Sequence, residues 1–458
     1  METFKKHVSL ILIFLMVMSL TMAGCSKSSN PDANQTSTNT PGQSSGTAGS
    51  SVSAEKVKIR IFTRMSGETP TVAWFKSVLD EFAKEHPNIE VQDDSVSQEA
   101  AYNNKFKTDM ATGTLPNIFT LIGIANLVEY ARNGALLDVT ELMNDKEWFD
   151  GFIDGAFENW NFESYGVPGY YEVPDRPSPE LIVYNKELFQ KAGIAKTPET
   201  MDELYDAIGK LNKIGVTPIS CGGKDTWRVG HIHNQILYKW CGVEKVKDLG
   251  ARKAKWTDAD IVETLGILKG LKEKGAFMKN FEGIDYDTEK KLFFAGKSAM
   301  IVNGSWFIGE CNASEIHDKI GTFAFPYFKE KTEFQGNSVI YPQGYQLKGD
   351  VKGAEKEAEI ALIKFLTSKE SQQKLASTAQ QIIARKDIDA SGPEFTDIFR
   401  GFVSYASNVK ISGGDSFNFD PLTQMQDRTR NSLIGLLLSN SPEAAAKEIQ
   451  DEIDKNSK

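Results

Sequence analysis

Between Val57 and Arg132 the chain alternates short apolar strands with amphipathic helices, and this rhythm restricts it to the α/β class. VKIRIF (Val57 to Phe62) places apolar residues at every second position, the period of a half-buried strand. Thr69 then offers an N-cap and Pro70 suits the first helical position. Val72, Phe75, Leu79 and Phe82 follow at helical spacing on one face, and Pro87 closes the segment. Ile89 to Val91 reads as a second strand, Tyr102 to Ala111 as a helix ending at Gly113, Ile118 to Ile122 as a third strand, and Leu127 to Arg132 as helical. A βαβαβ run of this kind favours a parallel sheet covered by helices.

A second run begins at Leu181 to Tyr184. Asn185 to Phe189 opens a helix there, and Thr200 with Glu203 forms a capping box ahead of Leu204, Ile208, Leu211 and Ile214. Gly215 suits the position after that helix, and Val216 to Ile219 continues as a strand. Asp287 to Ala295 reads as helical, Ala299 to Val302 as a strand and Asn303-Gly304 as a tight turn. Two α/β bodies therefore lie along the chain, with a crossing near Gly166 to Pro179, where the Pro-rich EVPDRPSP reads as irregular. No repeat of fixed period is present. About 400 residues follow the polar N-terminal stretch, too many for one ordinary core, so two domains are expected.

The net charge of -10 argues against a nucleic-acid partner. Apart from Cys25 the thiols are Cys221, Cys241 and Cys311. Cys221–Cys241 is the pair close enough in sequence to bridge, and three buried free thiols are the alternative. No Cys-x-x-Cys pair supports a zinc or redox site. His231 and His233, two apart on a helix start, point to different faces and do not make a metal pair. No nucleophile elbow, metalloprotease helix motif or phosphate loop occurs, and no cofactor is called for.

The N-terminus has its own logic. Lys5 and Lys6 precede a short apolar run from Leu10 to Leu20, with Ala23 and Gly24 before Cys25. This is the layout of a secretory signal over residues 1–24. The Ala-Gly-Cys end resembles the bacterial lipobox, with Met22 where Leu is more usual, and the resemblance implies a lipidated, palmitate-type modification of Cys25. An ordinary cleaved signal or an N-terminal anchor helix is the alternative. Residues 26–54 are Ser, Thr, Asn, Gly, Gln and Pro with hardly an apolar side chain. They cannot bury enough surface to offset chain entropy and read as a disordered tether spanning about 30 Å.

Several segments, in order, resemble the extracellular solute-binding proteins of the sugar type that feed ABC importers. They are DEFAKEHPNIEV (Asp80 to Val91), ATGTLPNIFTL (Ala111 to Leu121, with Asn117 where Asp is usual) and YARNGALLDVTELM (Tyr130 to Met143). The more specific ones are YGVPGYYEV with IVYNKELFQKAGIAKTPETMDEL (Tyr165 to Leu204) and FFAGKSAMIVNGSW with IGTFAFP (Phe293 to Pro326). NSVIYPQGYQLK (Asn337 to Lys348) and VPDRPSP depart from the family pattern. The resemblance implies a two-lobe periplasmic-binding-protein-like fold of type II, with a ligand cleft between lobes joined by hinge strands. It places lobe one at 56–168 plus 338–398 and lobe two at 169–337 plus 399–458, after the tether at 25–55. It also implies a non-catalytic, monomeric carbohydrate receptor. Such a receptor is anchored by lipid on the extracellular face of a Gram-positive cell membrane and delivers its sugar to the importer's membrane subunits. A secreted glycoside-processing enzyme, or a binder of a non-sugar solute, is the alternative.

A sugar site needs aromatic platforms for C–H faces and planar polar groups for hydroxyls. Trp306 follows a strand end, where open α/β sheets present ligand contacts, and the family places a stacking Trp there. The competing reading is a core Trp beneath the turn. Trp227 lies in the Gly-flanked stretch GGKDTWRVGH, read as a loop, with site and core evenly matched. Tyr170, Tyr171 and Glu172 lie at the first crossing, and Gly344 and Tyr345 at the later one. Ser66, Gly67 and Glu68 follow the first strand, and Asn103 begins a helix nearby. Asp415 and Phe417, in SGGDSFNFD, form an aromatic-acidic loop before the last helices, with a solvated turn as the competing reading.

Overall fold

The computed structural model describes residues 56–121, 124–409, 411–422 and 424–456. The signal segment, Cys25 and the tether lie outside the described residues, as does Ile122 at the end of the third expected strand.

Strand β1 (Val57–Phe62) forms where the period-two pattern places it and pairs in parallel with β2 (Ile89–Asp93) and β3 (Ile118–Phe119). The helix Pro70–Glu85 starts as its caps dictate, with the Thr69 side chain accepting from the Val72 amide. It buries Val72, Trp74, Phe75, Val78 and Phe82. The helix Glu99–Thr112 ends at Gly113, whose φ of 69° is the left-handed conformation that stops a helix.

The first sheet is not wholly parallel. Its order is β2-β1-β3-β10-β4, where β4 is Val173–Pro174 and β10 is Gly344–Leu347, antiparallel to both its neighbours. The second sheet has the order β11-β9-β5-β7-β6, with β8 also on β5. Its strands are β5 (Ser178–Asn185), β6 (Thr217–Ser220), β7 (Ser298–Gly304), β8 (Ile320–Phe323), β9 (Asn337–Tyr341) and β11 (Ile411–Gly413). Only β6–β7 and β9–β11 run parallel there. The strands of the βαβαβ run, β1, β2 and β3, are parallel as expected, and the sheets become mixed because strands arriving from distant parts of the chain insert in the reverse sense.

The Pro-rich crossing is also more ordered than expected. Val173–Pro174 belongs to β4 and Ser178–Pro179 to β5, leaving residues 175–177 between the sheets. Asn303-Gly304 is not a turn. Both residues continue β7, pairing with Leu181 and Glu180 of β5, and the chain bends only at Ser305–Phe307.

Helices from far along the chain cover both sheets. Gly353–Leu366 packs on β1, and Lys369–Ala379 packs on the helix Pro70–Glu85, where Trp74 Nε1 donates to the Ser371 carbonyl at 2.9 Å. On the second sheet the helix Met201–Lys213 carries the capping box, with the Thr200 and Glu203 side chains each accepting from the other's backbone. The helices Ala259–Glu273, Met425–Leu438 and Pro442–Asn456 pack together beside it. The long helix Trp227–Gly250 is buried on most sides and breaks at Gly242. There φ is 80°, and a Cβ would lie 2.6 Å from the Phe334 ring, so only glycine fits. Cys221, Cys241 and Cys311 are all free and buried, so the three act as small core hydrophobes.

Candidate functional site

The wall of the site is built where three chain segments of the second sheet end together. β7 closes at Gly304 with a φ of -90° and a ψ of 175°, ordinary extended backbone. Glycine is required there for space, because a Cβ would overlap the six-membered ring of Trp306. The indole therefore lies on bare backbone, and its Nε1 donates to the Tyr286 hydroxyl at 3.1 Å. Asn303 Nδ2 donates to the same hydroxyl at 3.0 Å. Tyr286 is the first residue of the helix Tyr286–Phe294, and Trp227 is the first of the helix Trp227–Gly250.

These rings meet edge to face. Trp227 lies 4.9 Å from Tyr286 and 6.4 Å from Trp306, both at 64°. One helical turn on, His231 lies 4.7 Å from Trp227 and stacks on Tyr341 at 4.4 Å and 22°. Tyr341, from the end of β9, closes the group at 5.9 Å from Trp306. Trp227, Tyr286 and Trp306 keep part of their surface open, whereas His231 and Tyr341 are nearly enclosed.

A buried ion pair supports this wall from behind. The Arg228 guanidinium lies 4.6 Å from the Trp227 ring centre and 5.0 Å from that of Tyr286. It meets Glu289 through Nε at 3.0 Å and Nη2 at 2.8 Å, and Nη2 also donates to the Val302 carbonyl. Glu289 in turn accepts from the Gly222 amide at 2.9 Å. Both side chains are essentially inaccessible. The pair ties β6, β7 and two helix starts into one rigid corner.

Polar groups gather at one edge of the wall. Asn234 Nδ2 donates to Asp415 at 2.8 Å, and Asn234 Oδ1 accepts from the Ser416 amide at 3.2 Å. Arg430 lies 3.5 Å from Asp415 and has its guanidinium 5.0 Å from the Phe417 ring centre. The same guanidinium reaches Glu99, at 3.5 Å, on the first turn of the helix Glu99–Thr112. Arg64, just past β1, approaches Glu99 as well, at 3.9 Å. An ion cluster therefore links residues beside the first sheet, Arg64 and Glu99, to Arg430 and Asp415 beside the second.

The structure thus brings together Trp306, Trp227, Asp415 and Phe417. Trp227 opens a helix rather than lying in a loop, and Asp415 and Phe417 are buried rather than on a solvated turn. Ser66 is partly buried beyond β1, Glu68 is exposed, and Asn103 is half-buried on the helix that carries Glu99. The remaining candidates sit at the crossings. Tyr170 donates to Glu158 at 3.1 Å and lies edge-on to Phe157. Glu172 is fully buried and accepts from Gln346, and burial beside Asp175 pushes its carboxyl well above the usual range. Gly344 pairs with Pro174, and a side chain there would overlap the Val173 carbonyl and the Glu172 carboxyl. Tyr345 is wholly enclosed in the core under the first sheet. Among the described residues no hydrogen bond or ring contact joins these four to the aromatic wall.

Tyr286, Tyr341, Glu180 and Arg430 escaped the sequence reading, and His231 was weighed there only as a metal ligand. One signal was available, since Trp227 and His231 are four apart on a helix and so share a face. Among the described residues no group of three His, Cys, Asp or Glu could hold a metal ion.

The family of bacterial extracellular solute-binding proteins matches residues 66–373. The multiple sugar-binding protein of Streptococcus mutans is 25% identical over 343 residues, covering 73% of this chain and 76% of its own. A chitin oligosaccharide binding protein of known structure superimposes with a TM-score of 0.80 at 25% identity, covering 88% of this chain and 99% of the other. The maltose-bound MalE3 of T. maritima shares the fold at a TM-score of 0.72, with 21% identity over 87% of this chain and 99% of its own. The two-sheet α/β architecture is thus that of a two-domain solute-binding protein, and the chain belongs to the bacterial extracellular solute-binding proteins.

Proposed function

We propose that this protein is a carbohydrate receptor for an ABC importer, and that it works by closing two lobes around a sugar without chemical change. The observation that carries the reading is the aromatic wall of Trp227, Tyr286 and Trp306 with a polar edge at Asp415 and Arg430. Flat rings suit the C–H faces of a sugar, and the charged edge suits its hydroxyls. Lobe one is built on the first sheet and lobe two on the second. The chain passes between them after β4, after β9 and before the helix Asp397–Asn408, which packs on β5 and β8. Ser66, Glu68 and Asn103 then face the wall from lobe one. A ligand touching both sides favours the closed form, because only there are all its contacts made.

The test is a panel of maltose, raffinose, xylo-oligosaccharides and chitin oligosaccharides, read by thermal shift and calorimetry. At least one is expected to raise the melting temperature by mass action and to be recovered intact. Cleavage of the bound sugar would favour a glycoside-processing enzyme instead, and a panel without any shift would overturn the carbohydrate reading.

We further propose that Cys25 carries the lipid that holds the protein at the outer face of the cell membrane, with residues 26–54 as the tether. Two acyl chains anchor far better than one, and a diacylglyceryl cysteine supplies both. Cys25→Ala is expected to release protein into the medium or to leave the precursor uncleaved. A Cys25→Ala protein that is still processed and still takes up labelled lipid would refute the assignment.

A further inference from the structure

His231 occupies an unusual position for a histidine that is only 6% exposed. Its Nδ1 is 2.7 Å from Glu180 Oε1, and the other carboxylate oxygen of Glu180 accepts from Gln235 Nε2 at 3.1 Å. Glu180 is itself fully buried. The carboxylate at Nδ1 fixes which ring nitrogen faces the protein and leaves Nε2 as the nitrogen turned toward a ligand. Stacking on Tyr341 and edge contacts to Trp227 and Trp306 fix the ring plane. Yet Nε2 has no hydrogen-bond partner among the described residues, and it is not one of the sealed, unpartnered polar atoms of the interior. The ring as a whole lies 4.7 Å from that of Trp227 and 6.0 Å from that of Trp306.

His233, two residues on, shows the contrast. It is completely enclosed, bonds Thr264 through Nε2 and has its Nδ1 shut away from solvent. One histidine belongs to the core, and the other presents a fixed polar atom to the aromatic wall.

We propose that His231 is a ligand-contacting, specificity-determining residue whose Nε2 exchanges a hydrogen bond with a hydroxyl of the sugar seated against Trp227 and Trp306. The inference rests on the receptor reading. The tryptophans supply contact area but distinguish hydroxyl configuration poorly, because one C–H face resembles another. A pre-oriented polar atom at a single point does distinguish it, since a sugar lacking a hydroxyl there leaves Nε2 covered and unpaired. Glu180, Gln235 and Tyr341 act as positioning residues through His231.

Diethyl pyrocarbonate, which acylates accessible imidazole nitrogen, tests this on the full wild-type protein with peptide mapping. His231 is expected to react in the sugar-free protein, as exposed His317 does, while His233 stays unmodified. Whichever of raffinose, maltose, xylo-oligosaccharide or chitin oligosaccharide raises the melting temperature is expected to protect His231 and not His317. Absence of labelling at His231 without sugar, or labelling that a bound sugar leaves unchanged, would overturn the proposal. In parallel, His231→Gln keeps an amide to meet Glu180. It is expected to weaken that sugar by about tenfold and to narrow the affinity ranking across the panel. An unchanged ranking in a variant that melts like wild type would overturn it too. Failure of wild type to bind any panel sugar is a separate result, which removes the receptor reading and this inference with it.

Discussion

Trp306→Ala is expected to lose roughly a hundredfold in sugar affinity, a free-energy change of about 3 kcal/mol. The indole is held on one face by the bare backbone of Gly304 and at its Nε1 by Tyr286, so it is oriented before any ligand arrives. Removing it deletes both the ring surface and the pre-set orientation, which otherwise spares the ligand the cost of ordering a mobile side chain. Trp306→Phe keeps part of the face but not the hydrogen bond and is expected to be milder. Affinity must be read beside the melting temperature of the sugar-free protein, because Trp306 also packs against the core. A sharp drop in melting temperature with unchanged affinity would make Trp306 a core residue and move the site toward Trp227.

The largest expected loss of stability comes from Arg228→Ala. The Arg228–Glu289 pair is shut off from water, and removing one partner strands a carboxylate in the interior, at a cost of about 3–5 kcal/mol. Replacing both, as Arg228→Met with Glu289→Gln, leaves no unpaired charge, and the glutamine can still accept from the Gly222 amide. The double variant is therefore expected to be more stable than Arg228→Ala in chemical denaturation. Equal losses in the two proteins would show that the charges are not coupled. Because the guanidinium lies under Trp227 and Tyr286, both variants are also expected to weaken sugar binding by loosening the wall.

Much of the fold was legible because the signals are local. The strand at Val57–Phe62, the Thr69 cap with Pro70, and the Thr200–Glu203 capping box each depend on a few neighbouring residues, and each stands where expected. What depends on distant partners was not legible. The antiparallel entry of β10 between β3 and β4 carries no sequence mark, so the sequence shows the parallel run of β1 to β3 but not the strands added to it. The full extent of the helix Trp227–Gly250, beyond the start read at His231 and His233, was hidden for another reason. It buries Arg228, His231, His233, Asn234, Gln235 and Lys239 along with its apolar residues, so no amphipathic stripe announces it. For the site, Trp306 and Trp227 stood out as aromatic residues at strand ends and Gly-rich stretches. Tyr286 and Tyr341 joined them only through tertiary packing, and His231 acquires its role from Glu180, 51 residues earlier.

The placement of β10 has a consequence for how the protein must assemble. Gln346 of β10 accepts from the Leu121 amide across 225 residues of chain. Among the described residues β4 has no sheet neighbour other than β10. The first sheet therefore cannot be completed until most of the polypeptide is available, although β1, β2 and β3 come early. Closing so long a loop before its contacts can form slows the search for the native state, as in other topologies dominated by non-local pairing. A chain ending before Gly344 would retain every residue of β1 to β4 and still lack the strand that joins β3 to β4. The early part of the polypeptide thus waits in an incomplete state for a short segment near its later end.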